Sequence, residues 1–134
     1  GGIHHVPHGL ANALLINHTI RFNATDSPVK MAPFPQYKYP DARSRYARIA
    51  DHLKLGGNTT DEKIENLIAA IEQLKKSVGI PATIAEAGVP KDEFYARLDE
   101  MSELSFDDQC TGANPRYPLI AELKGLFIDA YEGK

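Results

Sequence analysis

Thr59-Thr60-Asp61-Glu62-Lys63-Ile64-Glu65-Asn66-Leu67-Ile68-Ala69-Ala70-Ile71-Glu72-Gln73-Leu74-Lys75-Lys76-Ser77-Val78-Gly79-Ile80-Pro81 is the stretch that settles the class of fold. It opens on a capping box. The Thr59 hydroxyl and the Glu62 carboxylate are spaced to satisfy each other's backbone N–H groups. Ile64, Leu67, Ile68, Ile71, Leu74 and Lys75 then recur at helical spacing and form one amphipathic stripe. Gly79 offers the left-handed stop, and Pro81 follows where a helix cannot continue. A helix with both ends written into it is thus expected from Thr59 to Gly79.

Reading outward in both directions gives more helix. Thr83 with Glu86 forms a second capping box before a short turn closed by Gly88. Phe94, Leu98, Met101 and Leu104 mark a further helix. Asp107 to Tyr117 reads as a polar loop. Pro118 starts a last helix with Leu119, Ile120, Leu123, Leu126, Phe127 and Ala130 inward. Toward the N-terminus, Gly56-Gly57 ends a helix that Pro40 opens, with Tyr46, Ile49, Ala50 and Leu53 on one face. Asp26 to Tyr39 holds Pro28, Pro33 and Pro35 and reads as an irregular connection. Pro7 suits the first position of a helix that runs to about Phe22 on Leu10, Ala13, Leu14, Asn17 and Ile20. No alternating strand, repeat or low-complexity tract is present. The expectation is an all-α helical bundle.

Composition sets the outer limits. The chain has 134 residues, 43% hydrophobic and 25% charged, which suits one folded domain with a core. A net charge of -3 without a basic block implies no nucleic-acid partner. No apolar run approaches the ~20 residues of a membrane span. A single cysteine, Cys110, permits no internal disulfide and fits a reducing compartment such as the cytoplasm. The sequons at Asn17, Asn23 and Asn58 come with no secretory signal and read as chance matches. A chain starting Gly1-Gly2-Ile3, without Met, reads as a fragment of a larger protein.

The candidate chemistry lies in His4-His5-Val6-Pro7-His8-Gly9-Leu10-Ala11-Asn12-Ala13. Imidazole is the commonest protein metal ligand, and the first turn of a helix is a rigid place to hold one. His8 occupies that turn, and Gly9 leaves room beside it. The plain alternative is a capping or surface histidine. In an extended segment His4 and His5 would point opposite ways, so at most one faces whatever His8 faces. His18 lies ten residues on, about 15 Å along the axis, and cannot share a metal with His8. His52 sits near a helix C-terminus, where a cation is favoured. Cys110, flanked by Asp107 and Asp108, reads as packed and unreactive. The loop Phe106-Asp107-Asp108-Gln109-Cys110-Thr111-Gly112-Ala113-Asn114-Pro115-Arg116-Tyr117-Pro118 reads either as a substrate or partner loop or as a loop pinned by Asp–backbone and Arg–carbonyl hydrogen bonds. The pinned reading is preferred.

Val6-Pro7-His8-Gly9-Leu10-Ala11-Asn12-Ala13 and Phe106-Asp107-Asp108-Gln109-Cys110-Thr111-Gly112-Ala113-Asn114-Pro115-Arg116 together resemble the iron-containing (group III) alcohol dehydrogenases. Tyr39-Pro40-Asp41-Ala42-Arg43-Ser44-Arg45-Tyr46-Ala47-Arg48-Ile49-Ala50-Asp51-His52-Leu53 narrows the resemblance to the alcohol dehydrogenase part of bacterial bifunctional aldehyde–alcohol dehydrogenases. So does Gly79-Ile80-Pro81 followed by Glu86-Ala87-Gly88-Val89. The resemblance spans essentially all 134 residues.

That resemblance implies the C-terminal metal-binding domain of a dehydroquinate-synthase-like alcohol dehydrogenase over residues 1–134. It makes His8 a ligand of a catalytic Fe2+, with Zn2+ suited to the same donors. The other ligands, an aspartate and two histidines, belong to the upstream part of the same enzyme, as does the domain that binds NAD. His5 takes a substrate-facing, catalytic position. His4 stands where the family has an aromatic residue. The implied reaction interconverts acetaldehyde and ethanol, inside an enzyme that also reduces acetyl-CoA to acetaldehyde and assembles as a homo-oligomer or filament. The fragment alone is expected to be inactive. The alternative is a helical assembly module whose task is subunit contact.

Overall fold

The computed structural model describes residues 1–26 and 41–134. The expected connection beyond Asp26 and the expected helix start at Pro40 lie outside the described residues. Among the described residues the chain is helical throughout, without strands. Helix α1 spans His8–Asn23, α2 Ala42–His52, α3 Thr60–Ser77, α4 Lys91–Asp107 and α5 Ile120–Glu132; a 3-10 turn, Thr111–Ala113, precedes α5.

Helix α3 has the ends that its sequence predicts. Thr59 Oγ1 accepts from Glu62 N at 3.2 Å, and the Glu62 carboxylate accepts from Thr59 N at 3.3 Å and Asn58 N at 2.6 Å. At the other end Gly79 takes φ +75°. Ile80 N then donates to Lys75 O at 2.9 Å and Gly79 N to Lys76 O at 3.2 Å, which closes the last turn. The stripe differs from expectation at one position. Ile64, Leu67, Ile68 and Lys75 are buried, but Leu74 is 63% exposed. At about 100° per residue, Lys75 falls within about 20° of Ile64 whereas Leu74 stands about 80° away. The lysine stem is therefore the residue that packs inward.

Helix α2 packs on α3, α4 packs on α5, and α1 lies against α5, α3 and α2. The expected face of α2 is corrected by this arrangement. Its buried residues are Ala42, Ala47 and Ala50, while Ile49 and Leu53 stand exposed. Alanines make the most deeply covered positions of that face, and half-buried Tyr46 packs beside them against Ile20, Ile64 and Ile68. Asp41 caps it, accepting from Ser44 N at 3.1 Å. The start of α5 is also later than expected. Pro118 is buried and Leu119 and Ile120 are exposed rather than inward. Leu119 is extended, and its N–H donates to Glu122 Oε2 at 2.8 Å. That capping interaction sets the first turn.

The apolar interior has two parts. The larger gathers Leu14 of α1, Ile84 and Val89 of the turn, Phe94 and Leu98 of α4, and Ala130 and Tyr131 of α5. Phe94, wholly buried, stacks on Tyr131 with ring centroids 4.2 Å apart and meets Tyr95 edge-on at 5.1 Å. Such pairs add roughly 0.5–1.5 kcal/mol beyond area burial. Tyr131 keeps its hydroxyl bonded, donating to Val89 O at 3.0 Å. The smaller part holds Ile20 of α1 with Ile64 and Ile68 of α3.

The loop before α5 is pinned, as its composition implies. Asp108 Oδ1 accepts from Cys110 N at 2.7 Å. Asn114 and Asn23 exchange amide hydrogen bonds at 2.7 and 3.1 Å. The Arg116 guanidinium donates to Phe22 O at 3.0 Å and Glu122 Oε1 at 2.6 Å, and lies 4.0 Å over the Phe22 ring. The end of α1 and the start of α5 are thereby locked together. Cys110 departs from expectation. It is exposed, because the turn that Asp108 ties down lifts it off the bundle.

Two charged contacts cross between α1 and α3, the exposed Arg21–Glu65 pair and a half-buried one at Glu72. Glu72 Oε1 accepts from Asn17 Nδ2 and from the buried Lys75 Nζ, the latter at 2.9 Å. Burial pushes the Glu72 carboxyl up, but the Lys75 and Asn17 donors outweigh it and hold it below the ordinary carboxylate value.

Two outcomes follow. Phe94→Ala should lower unfolding free energy by about 3–5 kcal/mol, read as a fall in denaturant midpoint at constant slope. Because the Glu72 carboxyl titrates lower folded than unfolded, its contribution is complete above the unfolded value of 4.5 and fades as pH falls through the folded one. The stability gap between the parent chain and Glu72→Gln should therefore be widest at neutral pH and shrink below pH 4.5. A gap that widens in acid would contradict the assignment.

Candidate metal centre

The N-terminal segment reaches α1 through a turn rather than an extended strand. Residues 2–5 are turn, and His5 takes a left-handed backbone, φ +55°. This corrects the expected extended run. His4 and His5 still part company, with the His4 Nε2 atom buried and His5 exposed. Pro7 is also shifted from its expected place. It serves as the N-cap, φ -53° and ψ 138°, and its carbonyl accepts from Ala11 N at 2.9 Å.

His8 is accordingly the first residue of α1. Its ring is exposed, and the space a Cβ on Gly9 would enter is open. Nε2 of His8 lies 3.2 Å from Nδ2 of Asn12, one turn on. With the amide donating, Nε2 spends its lone pair on Asn12, and Nδ1 carries the proton of the neutral ring. A cation can take this imidazole only after the amide turns its oxygen to the ring or lets go. The His8–Asn12 tether is thus the feature that holds the ring against its helix. Its i,i+4 spacing was present in the sequence.

The helix end itself does not attract a cation. An N-terminus carries positive partial charge, and the first turn of α1 has no acidic residue. A metal held at His8 depends on anionic groups brought to it. Among the described residues no three His, Cys, Asp or Glu side chains converge as a metal cage. These residues fit one ligand position, and not a complete coordination shell.

The remaining histidines stand apart. His18 is half-buried in α1. Burial draws its ring below the ordinary histidine value, over the opposing pull of Asp129 and Glu72. His52 lies in the last turn of α2 and is exposed. His4 turns inward, with its ring 6.4 Å from that of Phe94. Burial lowers its titration, ahead of the opposing Glu93. The structure does not gather His4, His5 and His8 into one metal-holding group.

Comparison with known proteins agrees with the helical architecture. Residues 1–131 match the Fe-containing alcohol dehydrogenase family, C-terminal. An aldehyde-alcohol dehydrogenase of Clostridium acetobutylicum is 57% identical over 96% of the chain. The bifunctional aldehyde-alcohol dehydrogenase of Escherichia coli is 57% identical over all of it. The chain spans 15% of the length of each of these relatives. The solved structure of an iron-containing alcohol dehydrogenase from Thermococcus thioreducens superposes with a TM-score of 0.75 at 31% identity, covering 96% of this chain and 29% of that one. With its helices, its histidine-bearing first turn and a family match across nearly its whole length, the chain belongs to the iron-containing alcohol dehydrogenase family, in the C-terminal part of the fold.

Proposed function

We propose that this chain supplies one metal ligand and one wall of the catalytic cleft in a nicotinamide-dependent alcohol dehydrogenase. The reaction is the interconversion of acetaldehyde and ethanol, inside an enzyme that also reduces acetyl-CoA to acetaldehyde. The observation that carries this reading is His8, an exposed imidazole on the rigid first turn of α1 in a chain of this family. The bifunctional relatives, at 57% identity, support the pairing of two reactions.

His8 would hold iron, and the same imidazole suits zinc. When bound, such a cation polarises the carbonyl oxygen, while NAD carries the hydride. The chain's own residues hold and orient. Pro7 fixes the entry angle of α1, and Asn12 restrains the ring until it is drawn to a cation. His5, exposed in the preceding turn, takes the substrate-facing position. The missing carboxylate and imidazoles, and the NAD site, are assigned to an upstream part of the same enzyme.

The second reading, a helical assembly module, draws on a separate observation. Leu53, Leu74, Val78 and Leu104 are each more than half exposed, and Leu74 and Val78 lie one turn apart at the end of α3. Subunit or filament contact would cover them.

His8→Ala in the full-length enzyme should abolish stoichiometric metal and ethanol formation while acetyl-CoA reduction continues, and the isolated chain should reduce no aldehyde. Retention of metal and alcohol formation would remove His8 from the site. The assembly reading is checked by sedimentation velocity. If it holds, the isolated chain associates, and Leu74→Asp with Val78→Asp restores monomers. A parent chain that is already monomeric at high concentration would end it.

A further inference from the structure

Two exposed helix faces carry one spacing with opposite charge. On α2 the face is Arg45, Arg48, Ile49 and His52. On α4 it is Glu100, Glu103, Leu104 and Asp107. Both run i, i+3, i+4, i+7, so each set lies within about 100° on one side of its helix. Every one of these residues is exposed, the apolar ones included, with Ile49 at 46% and Leu104 at 57%.

The charges on these faces are largely unspent. Most of the described lysines and arginines sit in ion pairs, but Arg45 and Arg48 form none among the described residues. Residues 27–40 contain no Asp or Glu to pair with them. Asp41 stands one turn before Arg45, but Ser44 takes up its carboxylate. On α4, Glu103 and Asp107 likewise form no ion pair among the described residues, while Glu100 is shared with Arg97. Helices α2 and α4 do not pack on one another, so neither face serves the other within one chain.

We propose that α2 of one copy lies along α4 of a second copy of this chain. Where two helices run side by side in the same direction, equivalent positions meet. Arg48 then faces Glu103, Arg45 faces Glu100 and His52 comes to Asp107, with Ile49 against Leu104 between the charges. An unrelated acidic partner would satisfy the arginines but leave Glu103, Leu104 and Asp107 uncovered. A second copy accounts for both faces at once. Exposed ion pairs are worth little singly, so the charges set direction and register while the apolar pair is covered. The contact joins unlike patches. A pair therefore keeps one free α2 face and one free α4 face, and association continues beyond two copies unless it closes a ring. The inference rests on the assembly reading and supplies its contact, on helices other than α3, whose end carries Leu74 and Val78.

The test is sedimentation velocity of the whole 134-residue chain at low and at high salt. The parent should associate at low salt and return to monomer at high salt, where exposed charges are screened. Arg45→Glu with Arg48→Glu makes both faces acidic, and Glu103→Lys with Asp107→Lys makes both basic. Each double variant alone should stay monomeric at low salt. An equimolar mixture of the two should associate again, because each then carries the complement of the other. All four positions are exposed, so circular dichroism should show unchanged helix content. A mixture that stays monomeric overturns the proposal, as does either double variant that associates alone as the parent does. If association survives both double variants and is lost only with Leu74→Asp and Val78→Asp, the α2–α4 contact falls and the assembly reading stands. A parent chain that is monomeric at low salt and high concentration overturns both. Should one double variant fail to fold, the other double variant and the salt series decide the matter between them.

Discussion

The bundle depends on α1 being gripped from more than one side. Leu14 belongs to the apolar cluster shared with α4 and α5, and Ile20 to the cluster shared with α3. Six residues separate them, which places them about 120° apart around the helix. A helix buried on a single face would need only one stripe. This one serves two clusters and so joins the α2–α3 pair to the α4–α5 pair. Each fully buried aliphatic side chain contributes roughly 1.5–3 kcal/mol, so the joint is strong although few residues make it.

Polar contacts then remove the freedom that apolar packing leaves. Hydrophobic contact is non-directional and would let α1 slide or turn on its neighbours. Asn17 bonds to Glu72 of α3, Arg21 pairs with Glu65, and Asn23 exchanges hydrogen bonds with Asn114. Arg116 grips the Phe22 carbonyl at the helix end. The Arg21–Glu65 pair is exposed and worth little by itself. The buried amides Asn17 and Asn23 matter more, because a buried polar group that loses its partner carries the full cost of desolvation. The consequence reaches His8. A ligand on the first turn is positioned only as well as the rest of its helix, and α1 is tied at Asn17, Asn23 and Phe22 as well as packed at Leu14 and Ile20.

Much of this was legible in the chain itself. The ends of α3 follow from Thr59, Glu62 and Gly79, since capping groups act within a few residues of the backbone they satisfy. The pinned reading of the loop before α5 also held, through Asp108 and Arg116. The errors along α2 and α3 share a cause. Ile49, Leu53 and Leu74 are apolar residues at helical spacing that nonetheless face outward. Periodicity assigns a stripe, but which edge of the stripe is covered depends on the helix that arrives opposite. For α2 the covered edge is alanine, and for α3 it includes the stem of Lys75.

The candidate site divides in the same way. Sequence alone determined that the chain is helical and that His8 sits on a first turn beside a residue with no side chain. Those are local matters, set by proline, glycine and spacing. Only the tertiary structure decided that His4 goes inward beside Phe94 and that Cys110 stands in solvent. It also decided that no cage of ligating side chains forms among the described residues. Burial and convergence are relations between segments far apart in the chain. They exist only once α1, α4 and α5 have closed on one another.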